Sequence, residues 1–187
     1  MVDSAVVLSG GRSSRMGQDK ALLPFGEFGS LSEFQYRRLK SIFNKVYIST
    51  KEDKFDFKAN LILDKGEIFS PMVALKSILE ELQESCFVIS VDTPFVSESS
   101  IKRLLAEFES GVDVVVAKHS KQLEPLCAIY NQTALESINQ LLAQNIHKLN
   151  YLLKISKLKV VDFKESFEFE NLNYFSDYQR AKNSLRE

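Results

Sequence analysis

The chain has 187 residues, a length that favours one domain with a single core. Hydrophobic residues make up 44% of the chain and charged residues 26%, which is typical of a globular protein and not of an intrinsically disordered one. The formal net charge of −1 gives no support to broad electrostatic capture of nucleic acid. Any binding of phosphate groups therefore has to be local.

The first residues carry no basic segment followed by a long apolar stretch, and no apolar run approaches the ~18 residues that a membrane span requires. We therefore expect a cytoplasmic protein without a membrane partner. Cys86 and Cys127 lie in or beside apolar runs and are expected to be buried thiols. His119 and His147 show no metal-ligand spacing, so a zinc site is not predicted.

Short apolar strands alternate with amphipathic helices along the chain. The predicted strands are residues 5–8, 46–49, 61–63, 87–91, 113–117, 126–130 and 159–163. The predicted helices are residues 32–43, 72–82, 97–108, 133–142 and 149–153, and a last one that begins at 176. This alternation predicts a mostly parallel sheet covered by helices on both faces, which is a Rossmann-like, three-layer α/β/α sandwich over residues 1–187.

The first predicted strand runs into a loop that is rich in glycine and in positive charge. Three of the seven glycines of the chain fall within eight positions here, and three cations accompany them: Gly10, Gly11 and Gly17, with Arg12, Arg15 and Lys20. Glycines let a backbone approach a ligand closely, and the cations can neutralise phosphate oxygens. The spacing matches neither the dinucleotide fingerprint nor the P-loop. A tight strand-to-helix turn with solvated charges is the alternative.

Polar residues follow the next three strands as well. Ser49 ends the second strand and Lys51 lies just beyond it, while Asp64 follows the third strand and Asp92 the fourth. In open α/β sheets ligands lie outside the carboxyl ends of the strands, so these side chains are expected to meet in one crevice. Asp92 is well placed to hold a hard cation such as Mg²⁺. Its alternative role is a helix cap or an Asx turn, and Asp64 is alternatively a plain turn residue.

The glycine loop resembles the signature L-x-G-G-x-x-x-R-M-G-x-x-K of nucleotidyltransferases that pair a nucleoside triphosphate with a phosphorylated acceptor. Every named position is filled, in the order Leu8, Gly10, Gly11, Arg15, Met16, Gly17 and Lys20. Within that superfamily, residues 19–23 are similar to those of the molybdenum cofactor guanylyltransferases. Three weaker motifs resemble the same family: residues 70–74 match its G-P-L-A-G, residues 92–94 its D-T-P and residues 171–173 its N-x-N.

The resemblance implies a nucleotide-diphospho-sugar transferase-like fold and transfer of GMP from GTP to the phosphate of molybdopterin, with Mg²⁺ as cofactor. It implies that Arg15, Lys20 and Asp92 are catalytic and that Asp92 holds the metal. The nucleotide-binding residues that it implies are Leu8, Ser9, Gly10, Gly11, Lys20, Ser49, Asp64 and Asp92. It places the acceptor near Asn171 and Asn173, and it makes cofactor-delivery and molybdoenzyme chaperone proteins candidate partners.

The chain departs from the family pattern at three places. Ser70 and Ala74 stand where glycines are usual, residues 25–31 replace a G-K-P-L segment, and Glu124 precedes Pro125 where a basic residue is usual. Lys118 and Lys121 are candidates to supply that charge. Two alternatives therefore stay open: a cytidylyltransferase acting on molybdopterin or on a sugar or polyol phosphate, and a nucleotide-binding regulator without turnover.

Overall fold

The computed structural model describes residues 2–10, 17–66, 68–164 and 167–185. The strands within these ranges are β1 (Ser4–Leu8), β2 (Lys45–Thr50), β3 (Leu61–Leu63), β4 (Cys86–Ser90), β5 (Val114–His119), β6 (Gln122–Tyr130) and β7 (Leu158–Phe163). The α-helices are α1 (Leu31–Leu39), α2 (Pro71–Leu82), α3 (Glu98–Ala106), α4 (Ala134–Ala143), α5 (Leu149–Ile155) and α6 (Phe175–Ser184). Short 3₁₀ helices lie at Lys20–Leu22 and Phe167–Phe169.

The seven strands form one sheet in the order β3-β2-β1-β4-β6-β5-β7. Strands β1 to β4 pair in parallel, and β7 is parallel to β5. Strand β6 is antiparallel to both β4 and β5. The predicted mostly parallel sheet is therefore confirmed, with one reversed strand that the apolar pattern could not reveal, because side-chain periodicity carries no information about strand direction.

Both faces of the sheet are covered, as a three-layer sandwich requires. Successive residues of β1 alternate between the two cores: Ala5 and Val7 belong to one, Val6 and Leu8 to the other. Helices α1, α3 and α6 contribute to the first core, and α2, α4 and α5 to the second. No helix in the described ranges is long and apolar enough to cross a bilayer.

Helix α1 ends at Leu39 and not at Phe43 as the sequence predicted. The amides of Lys40 and Ser41 donate to carbonyls three residues earlier, so the chain tightens into a turn at this point. Phe43 nevertheless enters the core, where its ring stacks on Phe87 with centroids 5.6 Å apart. The predicted helix was too long because Phe43 is apolar and fits the helical spacing, whereas in the structure it enters the core from a turn.

Strand β6 begins four residues earlier than predicted, at Gln122. It is joined to β5 by Ser120 and Lys121, both of which have positive φ angles (45° and 68°). Such a pair of left-handed residues is what a tight two-residue hairpin requires. Neither residue is a glycine, so the usual sequence signal for this turn was missing.

Candidate active site at the carboxyl edge of the sheet

The parallel strands β1 to β4 end at one edge of the sheet, where a cavity of about 310 Å³ opens. Its lining comes from the ends of these strands, from the start of α2 and from β6: Leu8, Gly10, Lys51, Asp64, Phe69, Ser70, Pro71, Ala74, Ser90 and Leu126. A cavity of this volume lies at the lower end of the range that small-molecule sites occupy. The predicted crevice outside the strand ends is therefore present.

Lys20 and Asp92 meet at this edge although 72 positions separate them in the sequence. The ammonium group of Lys20 donates a hydrogen bond to the Asp92 carboxylate and a second one, at 3.2 Å, to the carbonyl of Leu172. The lysine and aspartate side chains are only 19% and 14% exposed. Asp19 caps the 3₁₀ helix that carries Lys20, accepting from the Ala21 amide at 3.0 Å.

The carboxylate of Asp92 is held by side chains and does not cap a helix. Ser90 Oγ donates to its Oδ1 at 2.5 Å, and Lys20 binds Oδ2. Ser97, not Asp92, caps the following helix α3. In the described part of the chain no cluster of three or more His, Cys, Asp or Glu side chains could hold a metal ion. A cation here would take one protein carboxylate plus oxygens from a substrate, which suits Mg²⁺.

A second ion pair lies on the wall of the cavity. Lys51 Nζ is 2.8 Å from Oδ2 of Asp64, whose side chain is only 7% exposed, and it also donates to the Gly66 carbonyl. Asp64 Oδ1 accepts from the Gly66 amide at 3.0 Å. Asp64 therefore stabilises a turn and also lines the cavity, and its role in nucleotide binding stays a prediction.

The predicted residues around β1 and β2 fall into two groups. Leu8 and Gly10 line the cavity, whereas Ser9 and Ser49 are buried beside it, at 2% and 1% exposure. Ser9 Oγ lies 3.0 Å from Ser32 Oγ, and the Ser9 carbonyl accepts from Lys54 at 3.3 Å. The Ser49 hydroxyl is buried without a hydrogen-bond partner in the described structure.

Two predicted site residues, Gly11 and Arg15, lie outside the residues that the structure describes. Their assignment stays a prediction from the glycine-loop signature. The described residues on either side of this segment do converge on the site. Gly10 lines the cavity, and Lys20 contacts Asp92.

The segment with Asn171 and Asn173 reaches the same edge through the residue between them. Leu172 donates its amide to the Asp92 carbonyl at 2.9 Å and accepts from Lys20. Asn171 lines a second cavity, of about 400 Å³, together with Phe95 and Phe167. The amide of Asn173 donates to the carboxylate of Asp177 at 3.2 Å, as expected for a turn before α6.

Glu124 stands where the family usually has a basic residue, and its side chain contacts a histidine of the neighbouring strand β5. His119 Nε2 lies 2.8 Å from Oε1 of Glu124, and its ring stacks on Phe169 at 5.1 Å between centroids. Burial raises the pKa of Glu124, and Asp92 adds to that effect while His119 opposes it. Lys118 pairs instead with Asp162 at 3.0 Å. The tight turn at 120–121 makes His119 and Glu124 diagonal neighbours on paired strands. That turn lacks the usual sequence signal, so the sequence could not indicate this contact.

Gln35 is a second residue that sequence reasoning missed. It is fully buried on α1, and its side-chain amide donates to the carbonyls of Ser90, Val91 and Thr93 at 3.1, 3.4 and 3.2 Å. It thereby fixes the loop that carries Asp92. A polar residue in an amphipathic helix is ordinarily expected to face solvent, so the sequence did not single out Gln35.

Comparisons with known proteins identify the family of the chain. The family model of the MobA-like NTP transferase domain matches residues 5–159. The molybdenum cofactor guanylyltransferase of Campylobacter jejuni subsp. doylei is 38% identical over 186 residues, covering 98% of this chain and 97% of that protein. The protein of the same name from Helicobacter pylori (strain G27) is 35% identical, covering 97% of this chain and 92% of its own.

Among solved structures, molybdopterin-guanine dinucleotide biosynthesis protein A from Archaeoglobus fulgidus superposes with a TM-score of 0.84 and covers 98% of both chains, at 23% identity. The likeness to that structure concerns the fold. The family that the sequence motifs predicted is confirmed by the sequence relatives and by the family match. The chain belongs to the family of MobA-like NTP transferase domains.

Proposed function

We propose that this nucleotidyltransferase is a molybdenum cofactor guanylyltransferase, which transfers GMP from GTP to the phosphate of molybdopterin and releases pyrophosphate. Relatives that carry this name are 35–38% identical over nearly the whole chain. The observation that carries the proposal is the meeting of Lys20 and Asp92 beside a cavity at the carboxyl edge of the sheet. A cation and a carboxylate at this place are what a metal-bound triphosphate requires.

In the proposed reaction, an oxygen of the acceptor phosphate attacks the α-phosphorus of GTP in line. A new P–O bond forms as the bond to the bridging oxygen of the β-phosphate breaks, and pyrophosphate leaves with that oxygen. The attacking oxygen is already ionised, so no general base is needed. The protein has to position two anions and neutralise their charge.

Nucleotidyltransferases of this kind generally use a divalent metal, and we propose Mg²⁺ held by Asp92. When bound, the ion neutralises phosphate charge and aligns the reacting groups. Without ligand, Lys20 and Asp92 neutralise each other in a partly buried setting. We propose that Lys20 turns to the phosphates when the nucleotide binds and that Arg15 joins it.

The remaining predicted residues have roles that follow from their positions. The main chain of Leu8, Ser9, Gly10 and Gly11 would hold the base and sugar, since Leu8 and Gly10 line the cavity. Asp64 would take part from the cavity wall, and Ser49, which is buried beside the cavity, stays a predicted nucleotide-binding residue. Asn171 and Asn173 would contact the acceptor, because the Leu172 backbone between them bonds both Lys20 and Asp92.

The serine at position 70, where the family usually has glycine, is compatible with this role. Ser70 Oγ accepts from the Met72 amide at 3.2 Å and donates to the His147 carbonyl at 3.3 Å. It therefore serves as the N-cap of α2, and its hydroxyl is already engaged. Ala74 adds one methyl group to the cavity wall.

The cytoplasmic location and the protein partners belong to the same proposal. Cys86 and Cys127 are buried thiols that form no disulfide, as is usual in a reducing compartment. Proteins that deliver molybdopterin or receive the finished cofactor are candidate partners, as the family resemblance implies.

Release of pyrophosphate tests the proposal. The purified protein is mixed with Mg²⁺, molybdopterin and one of GTP, CTP, ATP or UTP, and pyrophosphate is measured over time. We expect release that needs molybdopterin and is selective for GTP. Release with CTP alone would instead identify a cytidylyltransferase. Binding of nucleotide without release would favour a regulator.

A further inference from the structure

The ammonium group of Lys51 occupies a defined place on the wall of the 310 Å³ cavity. It is held by the Asp64 carboxylate at 2.8 Å and by the Gly66 carbonyl, and it lies 5.2 Å from the centre of the Phe69 ring. The lysine side chain is 22% exposed. A cation fixed in this way keeps its position when a ligand arrives, which is what selective recognition of a base edge requires.

The rest of the cavity wall is suited to the faces of a flat ring. Its apolar members are Leu8, Phe69, Pro71, Ala74 and Leu126. Among the described lining residues, Lys51 and Asp64 are the charged ones, and Ser70 and Ser90 add hydroxyl groups. Apolar walls with one charged corner are typical of a site that binds an aromatic group and reads its edge.

Guanine fits a corner built from an ammonium and a carboxylate better than the other bases do. Its edge presents the acceptor O6 next to two adjacent donors, N1–H and N2–H₂, so the carboxylate can accept twice while the ammonium donates once. Adenine and cytosine offer the carboxylate a single amino group, and the neighbouring ring nitrogen is then an acceptor. Uracil offers the carboxylate one ring N–H between two carbonyl oxygens.

We propose that Lys51 is a specificity-determining residue that donates to O6 of guanine while Asp64 accepts from the donors beside it. This inference depends on the proposed function, since it names the group that selects the base in the same site. The opposing view is that Lys51 only holds Asp64 and the turn at Gly66 in place. The two views differ in what happens when O6 alone is changed.

The test compares GTP with 6-thio-GTP, which keeps both donors and replaces O6 by sulfur, a weaker hydrogen-bond acceptor. Binding to the wild-type protein and to Lys51→Met is measured by calorimetry, alongside kcat/KM for pyrophosphate release. A hydrogen bond from a charged donor contributes about tenfold or more in affinity. We expect wild-type protein to prefer GTP by about that factor and Lys51→Met to show almost no preference.

Lys65→Met is the matched control, because Lys65 is 73% exposed and its charge pairs with Glu81 away from the cavity wall. It should keep the wild-type preference. Lys51→Gln retains a neutral hydrogen-bond donor and should keep part of the preference for GTP over 6-thio-GTP. This variant replaces Lys51→Met in the comparison if the methionine variant does not fold. Inosine triphosphate lacks N2–H₂, so the preference for GTP over it should survive in Lys51→Met.

An equal loss of affinity for GTP and 6-thio-GTP in Lys51→Met would overturn the inference and assign Lys51 a structural role. An unchanged preference would overturn it as well. Both results leave the proposed function intact, provided that wild-type protein turns over GTP. If wild-type protein binds GTP selectively but releases no pyrophosphate, the proposed guanylyl transfer is refuted. The binding data still decide the role of Lys51.

Discussion

Asp92 and Lys20 form a partly buried ion pair at the edge of the sheet where we propose that the nucleotide binds. Each neutralises the other while both are mostly shielded from water. A buried charge left alone is costly, so the pair stabilises the ligand-free site. The same charges are available to a metal ion and to phosphate oxygens without any proton transfer.

Replacing Asp92 by asparagine tests whether the negative charge of this side chain is needed for the reaction. Asp92→Asn keeps the size of the side chain and an oxygen that can accept from Ser90, but removes the negative charge. We expect pyrophosphate release to fall by about 10²–10³-fold, in line with other losses of electrostatic stabilisation. The thermal midpoint should also fall, because Lys20 keeps its bond to the Leu172 carbonyl but loses its charged partner, so the rate is measured at a temperature where the variant is fully folded.

Asp162→Asn is the matched control, because Asp162 is 71% exposed and pairs with Lys118 on the rim of the sheet. It should retain the wild-type rate. A near wild-type rate in Asp92→Asn as well would refute the assignment of Asp92 to the metal.

Position along the chain predicted some of these residues and not others. Asp64, Asp92 and Lys20 could be found because each follows a strand or a glycine loop at the ligand edge. The polar contacts of Gln35 could not be found, since a buried glutamine in a helix looks like a solvent-facing residue in sequence. The partner of Lys51 could not be found either, because it depends on how β2 and β3 are placed in space.

Helix α1 connects the first core to the active-site loop through Gln35. Its amide nitrogen bonds the backbone that leads into and out of Asp92, and its oxygen accepts from Arg38 Nε at 2.6 Å. Burial lowers the pKa of Arg38 to about 10, so the guanidinium stays charged at neutral pH. The helix therefore holds the backbone on either side of Asp92, the proposed metal ligand, as well as covering the sheet.

Gln35→Met tests this role at the scale of the element. The variant keeps the volume of the side chain but leaves buried carbonyl groups and Arg38 without their partner. We expect the free energy of unfolding, measured with urea, to drop by about 1–3 kcal/mol, the cost of unsatisfied buried polar groups. We also expect a lower kcat at a temperature where the variant is fully folded, because Asp92 is less well positioned.

Gln140→Met serves for comparison, since Gln140 is exposed on α4. That variant should match wild-type protein in both measurements. Full activity combined with a stability loss in Gln35→Met would show that the helix only supports the fold.

At the scale of the whole molecule, the reversed strand β6 explains what the sequence could not predict about the site. Ligand residues were expected only after the strands, where parallel chains end. Because β6 runs the other way, it brings its first half to the same edge, including Leu126 in the cavity wall and Glu124 beside His119. The layered α/β architecture follows from local patterns, but strand direction and the contacts across it depend on long-range packing.

A crystal structure of the protein with GTP and Mg²⁺ tests the central claim most directly. We predict guanine in the cavity between β1 and α2, the metal bound by Asp92, and Lys20 moved from Asp92 onto the phosphates. A nucleotide bound elsewhere, with the Lys20–Asp92 pair intact and the cavity empty, would contradict it.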